Sequence, residues 1–192
     1  MQSAEATVIR RPTMDETMRV HGRFHAWCVR PDGSIRWDEE FDNLVTTAGK
    51  NHKLDNNLAG SGFTQVGPYV GLISSVGGST YAAGDTMSSH SGWTEAGNGV
   101  NYPLWSTPSS NARGTPSWSA SAAGVKAFSA AVPFIIVTTG GTVNGCFLVL
   151  GASAVTTNAS TAGTLFSVGA FTGGAKIVAV ADTLNVSWSL TL

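Results

Sequence analysis

The amino-acid sequence predicts an all-β protein: an antiparallel β-sandwich, jelly-roll-like, with one short helix and an extended N-terminal arm. Glycine accounts for 23 of the 192 residues, whereas charged residues make up only 12%. Serine, threonine, alanine and valine are abundant, a composition that favours strands and tight turns over long helices. Short apolar runs recur between turn residues at near-regular spacing, which is typical of antiparallel sandwiches and barrels.

Charge is distributed unevenly and suggests how the chain is organised. Residues 1–56 contain 17 of the 23 charged side chains, and residues 57–192 contain only six. We therefore expect an N-terminal arm over residues 1–20 and a β-hairpin with a short helix over residues 21–60. A Gly/Ser/Thr-rich β-sandwich over residues 61–192 would follow and form one domain with the hairpin.

The arm has no helical or strand period and few large apolar groups, so it cannot bury enough surface to fold alone. It is either disordered or becomes ordered on a neighbouring subunit. In the second case Arg10 and Arg11 would meet an acidic partner surface. The arm also lacks the apolar segment of a signal peptide.

The hairpin is predicted from two strand-like segments, residues 23–30 and 34–41, around a Pro-Asp-Gly turn. Its second strand carries an acidic run over residues 38–42. These carboxylates are expected to form a solvated face or to pair with basic residues of the hairpin, namely Arg23, Arg30 and Arg36.

One helix is expected after the hairpin. Thr46 or Thr47 can cap its beginning and Gly60 can end it. Leu54 and Leu58 are four residues apart and would share one face. The helix is short, so packing against the sheet must hold it in place.

Further strands follow, separated by glycine-rich turns. The segment 126–138 is a strong strand in which Pro133 indicates an edge or a bulge. The last strand, residues 184–192, alternates strictly, which predicts a buried face. That face would contain Val186, Trp188, Leu190 and Leu192, and the expected neighbours of Trp188 are Phe134, Ile136 and Phe147.

Residues that could carry chemistry occur only in weak patterns. His21 and His25 would share a strand face with Arg23 between them, and a cation there disfavours a metal. Asp85, His90 and Glu95 lie close in sequence, which invites a hydrolase interpretation. No Gly-x-Ser-x-Gly elbow or phosphate-binding loop accompanies them. We therefore expect no catalytic, cofactor-binding or metal site.

The two cysteines, Cys28 and Cys146, lie far apart and outside any metal-binding or redox motif. We expect both to be buried thiols and not a disulfide. The formal net charge of −1 argues against a nucleic-acid partner. The longest apolar runs are too short to cross a bilayer.

Three aromatic residues stand in a stretch rich in Gly, Ser, Asn and Pro. Trp93, Tyr102 and Trp105 are therefore predicted to lie on an outward loop, where they could contact a carbohydrate or a protein partner. Together with Arg10 and Arg11, they are the candidate partner-binding residues.

Several sequence pieces stand in a fixed order between Trp37 and Leu192. They are Trp37 to Glu40, Asn43 to Gly49, Tyr69 to Leu72, Ala83 to Met87, His90 to Glu95, the strand around Phe134, Gly140 to Leu148, and Asp182 to Val186. With these pieces in this order, the chain from Trp37 to Leu192 resembles small virion structural proteins of tailed bacteriophages, which are capsid decoration or tail-associated proteins. The resemblance implies a particle protein, and it brings no catalytic residue with it.

On these grounds the expected function is that of a capsid decoration, or cement, protein that stabilises the head. Its partners would be the major capsid protein or other virion proteins, and further copies of itself, with a trimer as one option. It would assemble in the host cytoplasm and reside in the virion. The alternative is a tail, adaptor or fibre component that binds a host surface glycan or another virion protein.

Overall fold

The computed structural model describes residues 20–58 and 65–192 of the chain. The predicted hairpin is present, with strand β1 over His21–Val29 and strand β2 over Ile35–Val45. Asp32 accepts hydrogen bonds from the backbone and the hydroxyl of Ser34, at 2.9 and 2.7 Å. Gly33 supplies the positive φ of 84° that the turn needs.

The remaining elements are one helix, one 3₁₀ turn and eight strands. Helix α1 spans Thr47–Leu58, and the 3₁₀ turn spans Ser109–Asn111. The strands are β3 Tyr69–Ser74, β4 Trp105–Thr107, β5 Val125–Ala127, β6 Val132–Ile136, β7 Gly141–Leu150, β8 Thr164–Ala170, β9 Lys176–Val178 and β10 Thr183–Thr191.

All strand pairings are antiparallel, and together they form one sheet in the order β3-β7-β8-β2-β1-β10-β6-β4. Strand β5 also pairs with β10, and β9 with β7. The sheet curls until Val70 of β3 exchanges two backbone hydrogen bonds with Gly114, which follows β4. The prediction of a mostly β, antiparallel protein with one helix is thus confirmed. The strands form one open, curled sheet, and a sandwich or jelly roll is not confirmed.

Helix α1 packs against β8. Thr46 caps the helix by accepting a hydrogen bond from the Gly49 backbone N–H at 2.9 Å. Thr46 is one of the two capping residues predicted from the sequence. Gly49 lies against the backbone of Phe166 and leaves no room for a Cβ atom. Leu54 and Leu58, the predicted apolar face, are exposed instead, because the buried side of the helix is formed by Gly49 and His52.

The main core fills the inside of the curl. It takes Phe24 from β1, Trp188 from β10 and Phe166 from β8. The alternation predicted for the last strand is confirmed for Val186, Trp188 and Leu190, whereas Leu192 is exposed. The ring neighbours of Trp188 differ from those predicted: they are Phe24, Trp118, Phe128 and Phe166.

The predicted strand over residues 126–138 is divided into β5 and β6, which pair with the same side of β10. Pro133 pairs with Asn185 of β10, while β4 pairs only with Ile135 and Ile136 on the other side. Strand β4 does not reach Pro133, so the missing N–H of Pro133 interrupts no strand pairing on that side.

A second core lies on the opposite side of β3, β7 and β8. Cys146 and Leu148 of β7 belong to the main core, while Phe147 and Val149 belong to the second core. The segment between β3 and β4 covers this second core with Met87 and Trp93. Strands β3, β7, β8 and β9 are called the enclosed half below. Strands β1, β2, β10, β5, β6 and β4 are the outer half, whose solvent side is called the outer face.

Candidate binding surfaces

Two of the predicted partner-binding aromatics are buried. Trp93 is 1% exposed, stacks on His90 with ring centroids 3.8 Å apart and packs against Phe147 at 5.3 Å. Its Nε1 donates a hydrogen bond to Asp85 at 3.1 Å. The prediction of an outward position was wrong for Trp93, because the polar segment that carries it folds back over the enclosed half.

Trp105 is likewise internal. It is 2% exposed, meets the Phe134 ring edge-on at 5.2 Å and donates a hydrogen bond to the Ala112 carbonyl at 2.9 Å. The prediction for Trp105 was therefore also wrong, since this residue begins β4 and points into the main core. Tyr102 is 37% exposed and lies at the surface. Arg10 and Arg11, with the rest of the arm up to residue 19, lie outside the described residues.

The polar residues that invited a hydrolase interpretation have structural partners. His90 contacts the Trp93 carbonyl through Nδ1 at 3.0 Å. Glu95 forms a two-point ion pair with the buried guanidinium of Arg113, at 2.9 and 2.8 Å. That guanidinium also donates to two backbone carbonyls and lies 5.4 Å from the centre of the Phe147 ring. These contacts hold the segment between β3 and β4 against the second core. The absence of catalysis stays a prediction.

The outer face carries a charged strip at one end. His21, Arg23 and His25 share this face, as predicted, and they oppose the acidic run of β2. Arg23 pairs with both Glu40 and Asp42, at 3.2 and 3.3 Å, while the imidazoles contact Asp42 and Asp38. With neutral imidazoles, one arginine faces three carboxylates, so the strip is acidic.

The other end of the outer face is apolar. Ile35 pairs with Val29, Val29 with Thr183, and Thr183 with Ile135, which makes one row across four strands. Ile35 is 51% exposed and Ile135 is 38% exposed. The next row adds the partly exposed Trp27 and, two strands away, Pro133. The two rows also contain Thr183, Asn185 and Asp38. Their apolar members, Trp27, Val29, Ile35, Pro133 and Ile135, are together called the apolar row below.

The apolar row could not be predicted from the sequence because its members come from two distant segments, the β1–β2 hairpin and β6. Alternation along β1 does place Trp27 and Val29 on one face. Only the pairing of β10 between β1 and β6 brings Ile135 beside them. Exposed apolar groups that form a contiguous patch are typical of surfaces that bind another protein.

A cleft of about 430 Å³ opens where the main core reaches the surface between α1 and the sheet. Trp118, Phe166 and Trp188 form its aromatic wall, and Leu150, Leu190 and Pro68 also line it. Its polar lining consists of His52, Lys53, Asn56, Asn57, Gln65 and Lys126. A concave, largely apolar site with a few polar groups is the usual form of a small-ligand site.

The cleft has an unusual balance of polar groups. Its lining contains two lysines and three carboxamides, whereas no described lining residue is a carboxylate. Lys126 donates to the Ser119 carbonyl at 2.7 Å and lies 5.8 Å from the centre of the Trp118 ring. The buried Nε1 of Trp188 has no hydrogen-bond partner among the described residues. An unmade buried hydrogen bond of this kind costs about 1–3 kcal/mol.

Two buried polar sites hold the strands in place. Asp182 accepts hydrogen bonds from Arg36 at 2.7 Å and from the Ala179 backbone, also at 2.7 Å. Burial, and then the nearby Asp182 carboxylate, raise the pKa of the Cys28 thiol to about 12. Cys28 therefore stays a protonated, unreactive thiol at neutral pH. Cys28 and Cys146 are both free and buried, as predicted.

Glu39 connects β2 to the segment between β8 and β9. Its carboxylate accepts from Lys176 at 2.7 Å, from the Thr172 hydroxyl at 2.5 Å and from the Gly173 backbone at 2.8 Å. Burial alone would raise the pKa of Glu39, but these hydrogen bonds outweigh it and lower the pKa to about 2. Glu39 is thus ionised at neutral pH and joins the outer half to the enclosed half.

Residues 20–58 and 65–192 contain neither a metal-binding group nor a membrane-spanning helix. No three His, Cys, Asp or Glu side chains converge there as a metal-binding group. Over the same ranges, no helix is both long and apolar enough to span a membrane. In comparisons with known proteins, no family model, curated protein or solved structure matches this chain.

Proposed function

We propose that this chain is a non-enzymatic structural protein of a tailed-bacteriophage particle, a capsid decoration or cement protein that stabilises the head. The observation that carries the proposal is the apolar row on the outer face. Ile35 of β2 and Ile135 of β6 are exposed there, in a row that crosses four neighbouring strands next to an acidic strip. The ordered sequence pieces that resemble small virion proteins supply the particle context.

The chemistry of the outer face specifies the partner. Apolar side chains at the centre of an interface gain from being removed from water, and the charges at its rim select the partner and its orientation. The partner surface would therefore be apolar with a basic border, and we assign it to the major capsid protein. Many copies, related by the symmetry of the shell, would turn modest contacts into strong attachment.

In this proposal the two halves of the curled sheet act as the layers of a jelly-roll-like sandwich, a rigid body that bridges neighbouring capsid subunits. The protein itself would be a homo-oligomer, such as a trimer, that assembles in the host cytoplasm and resides in the virion. Low charge over residues 57–192 supports a protein that is largely covered by partners.

The test uses particles that lack this protein. We expect the double variant Ile35→Asp/Ile135→Asp to lose at least about 100-fold in affinity for such particles, because two buried apolar contacts become desolvated charges. Val100→Asp is the matched control, since Val100 is exposed in the segment between β3 and β4. Occupancy is measured by quantitative mass spectrometry, and equal binding of both variants would refute the docking role of the apolar row.

A second candidate function is that of a tail, adaptor or fibre component that binds a host surface glycan. The cleft beside α1 favours it, because aromatic rings and carboxamides line the same cavity. Copy number separates the two functions: many copies per virion indicate decoration, and a few copies indicate a tail position.

A further inference from the structure

From the lining of the cleft beside α1, we infer that it is a binding site for an acidic saccharide, a sugar chain that carries carboxylate groups. This inference goes beyond the decoration function and does not depend on the apolar row. The aromatic residue that contacts the carbohydrate is then Trp118, and not Trp93 or Trp105. Trp118 is only partly buried and lines the cleft.

The apolar part of the cleft suits the carbon face of a sugar ring. Trp118, Phe166 and Trp188 are all aromatic, and the rings of Trp118 and Trp188 lie edge to face with centroids 6.0 Å apart. The C–H groups on one side of a pyranose ring are attracted to the electron-rich face of an aromatic ring. The cleft volume of about 430 Å³ lies within the roughly 300–1,000 Å³ range of small-ligand sites.

The polar part of the cleft suits the hydroxyl groups at the edge of a sugar ring. Asn56 and Asn57 belong to the last turn of α1, and Gln65 lines the same cleft. Each carboxamide combines a donor and an acceptor, so it can bind two neighbouring hydroxyls at once. Gln65 is held in place by His52, whose Nε2 lies 2.8 Å from its Oε1.

The charges of the cleft select an acidic sugar over a neutral one. Lys53 lines the cleft and has no ion-pair partner among the described residues. Lys126 adds a second ammonium, and no described lining residue is a carboxylate. A ligand that brings both carboxylates and hydroxyls matches this donor-rich lining.

Binding is tested with the full chain on a panel of acidic and neutral oligosaccharides, followed by calorimetric titration. The probes for titration are a galacturonic-acid oligosaccharide and the corresponding neutral galactose oligosaccharide. We expect saturable binding of acidic members of the panel and weaker or no binding of neutral ones. The affinity should fall as salt is added.

Variants locate the site. Lys53→Gln should weaken acidic-saccharide binding about tenfold or more, because a charge-assisted hydrogen bond is lost. Lys50→Gln is the matched control, since Lys50 is an exposed residue of the same helix outside the cleft. Trp118→Ala should abolish binding. Trp118→Phe, which keeps an aromatic ring, should restore part of it, and this pair separates stacking from a general loss of folding.

Three results with saccharides would overturn the inference. They are a panel on which no acidic saccharide binds, equal affinity for the neutral counterpart, and equal affinity of the Lys53→Gln and Lys50→Gln variants. Preferential binding of an acidic peptide would assign the cleft to a protein segment and would equally overturn the saccharide class. Attachment to particles through the apolar row is measured separately, so either proposal can fail alone.

Discussion

The two halves of the curled sheet differ in how many of their faces are buried. In the outer half, β10 alternates regularly between buried and partly exposed residues. In the enclosed half, the last six residues of β7 are all buried. The outer half therefore has one core face and one surface face, whereas β3, β7 and β8 of the enclosed half lie between the main core and the second core.

This difference separates the surface available for binding from the interior that supports it. Ion pairs on the outer face, such as that of Arg23 with Glu40, are about half exposed. The ion pair of Glu95 with Arg113 is nearly inaccessible to solvent. Ion pairs of the same type are thus expected to contribute differently to the free energy of unfolding in the two halves.

The largest effect is expected from Arg113→Ala. Removing Arg113 leaves Glu95 buried without its counter-charge and two backbone carbonyls without their donor, so unfolding free energy should fall by about 3–5 kcal/mol. Arg23→Ala, the matched change on the outer face, should cost less than about 1 kcal/mol. Denaturant unfolding of both variants measures this contrast, and similar losses would erase the distinction between the halves.

Trp93→Ala should cost nearly as much, about 3–5 kcal/mol, through lost burial and the cavity it leaves. Trp27→Ala on the outer face should cost clearly less, because Trp27 is partly exposed and, among the residues that the structure describes, its one ring contact is with His25. Both variants are compared by thermal and denaturant unfolding. If Trp93→Ala is no more destabilising than Trp27→Ala, the second core does not contribute as a packed layer.

A smaller, pH-dependent effect is expected where Glu39 joins the two halves. The pKa of Glu39 is lowered from 4.5 to about 2, so its ionised form stabilises the fold above its unfolded pKa. That contribution, about 1–3 kcal/mol, should disappear as pH falls from about 5 to about 2.

The measurement compares wild type with Glu39→Gln by denaturant unfolding across this range. Their difference in unfolding free energy should shrink steadily toward acid. Glu40, the next residue, forms an exposed ion pair with Arg23. The Glu40→Gln variant should therefore differ only slightly from wild type in unfolding free energy. A constant gap between wild type and Glu39→Gln would contradict the role assigned to the Glu39 carboxylate.

Local signals in the sequence predicted the local features of this fold. The Pro-Asp-Gly turn, the Thr46 cap and the alternation of Trp188 with its neighbours each depend on residues close in sequence. Trp93 and Trp105 were misplaced because their burial depends on distant strands. A polar, glycine-rich stretch has the composition of a surface loop even when it folds back as the cover of a second core.

The binding surfaces were harder to predict for the same reason. The apolar row needs strands β2, β1, β10 and β6 side by side, and the cleft needs α1 packed against β8 with Trp188 and Leu190 of β10 in its wall. Neither arrangement leaves a short motif, since each surface takes its members from segments separated by scores of residues. Sequence periodicity can assign a residue to a face, but only the strand order shows which residues share that face.

The position of β10 in the centre of the outer half has a consequence for biosynthesis. Strand β10 lies between β1 and β6 and pairs with β1 from His21↔Thr191 to Val29↔Thr183. It is nevertheless the last of these strands to leave the ribosome. Until then the hairpin presents β1 as an unpaired edge that other chains can join. Nascent chains crowded on one message would thus be most prone to aggregate just before synthesis reaches this strand, when a chaperone would help most.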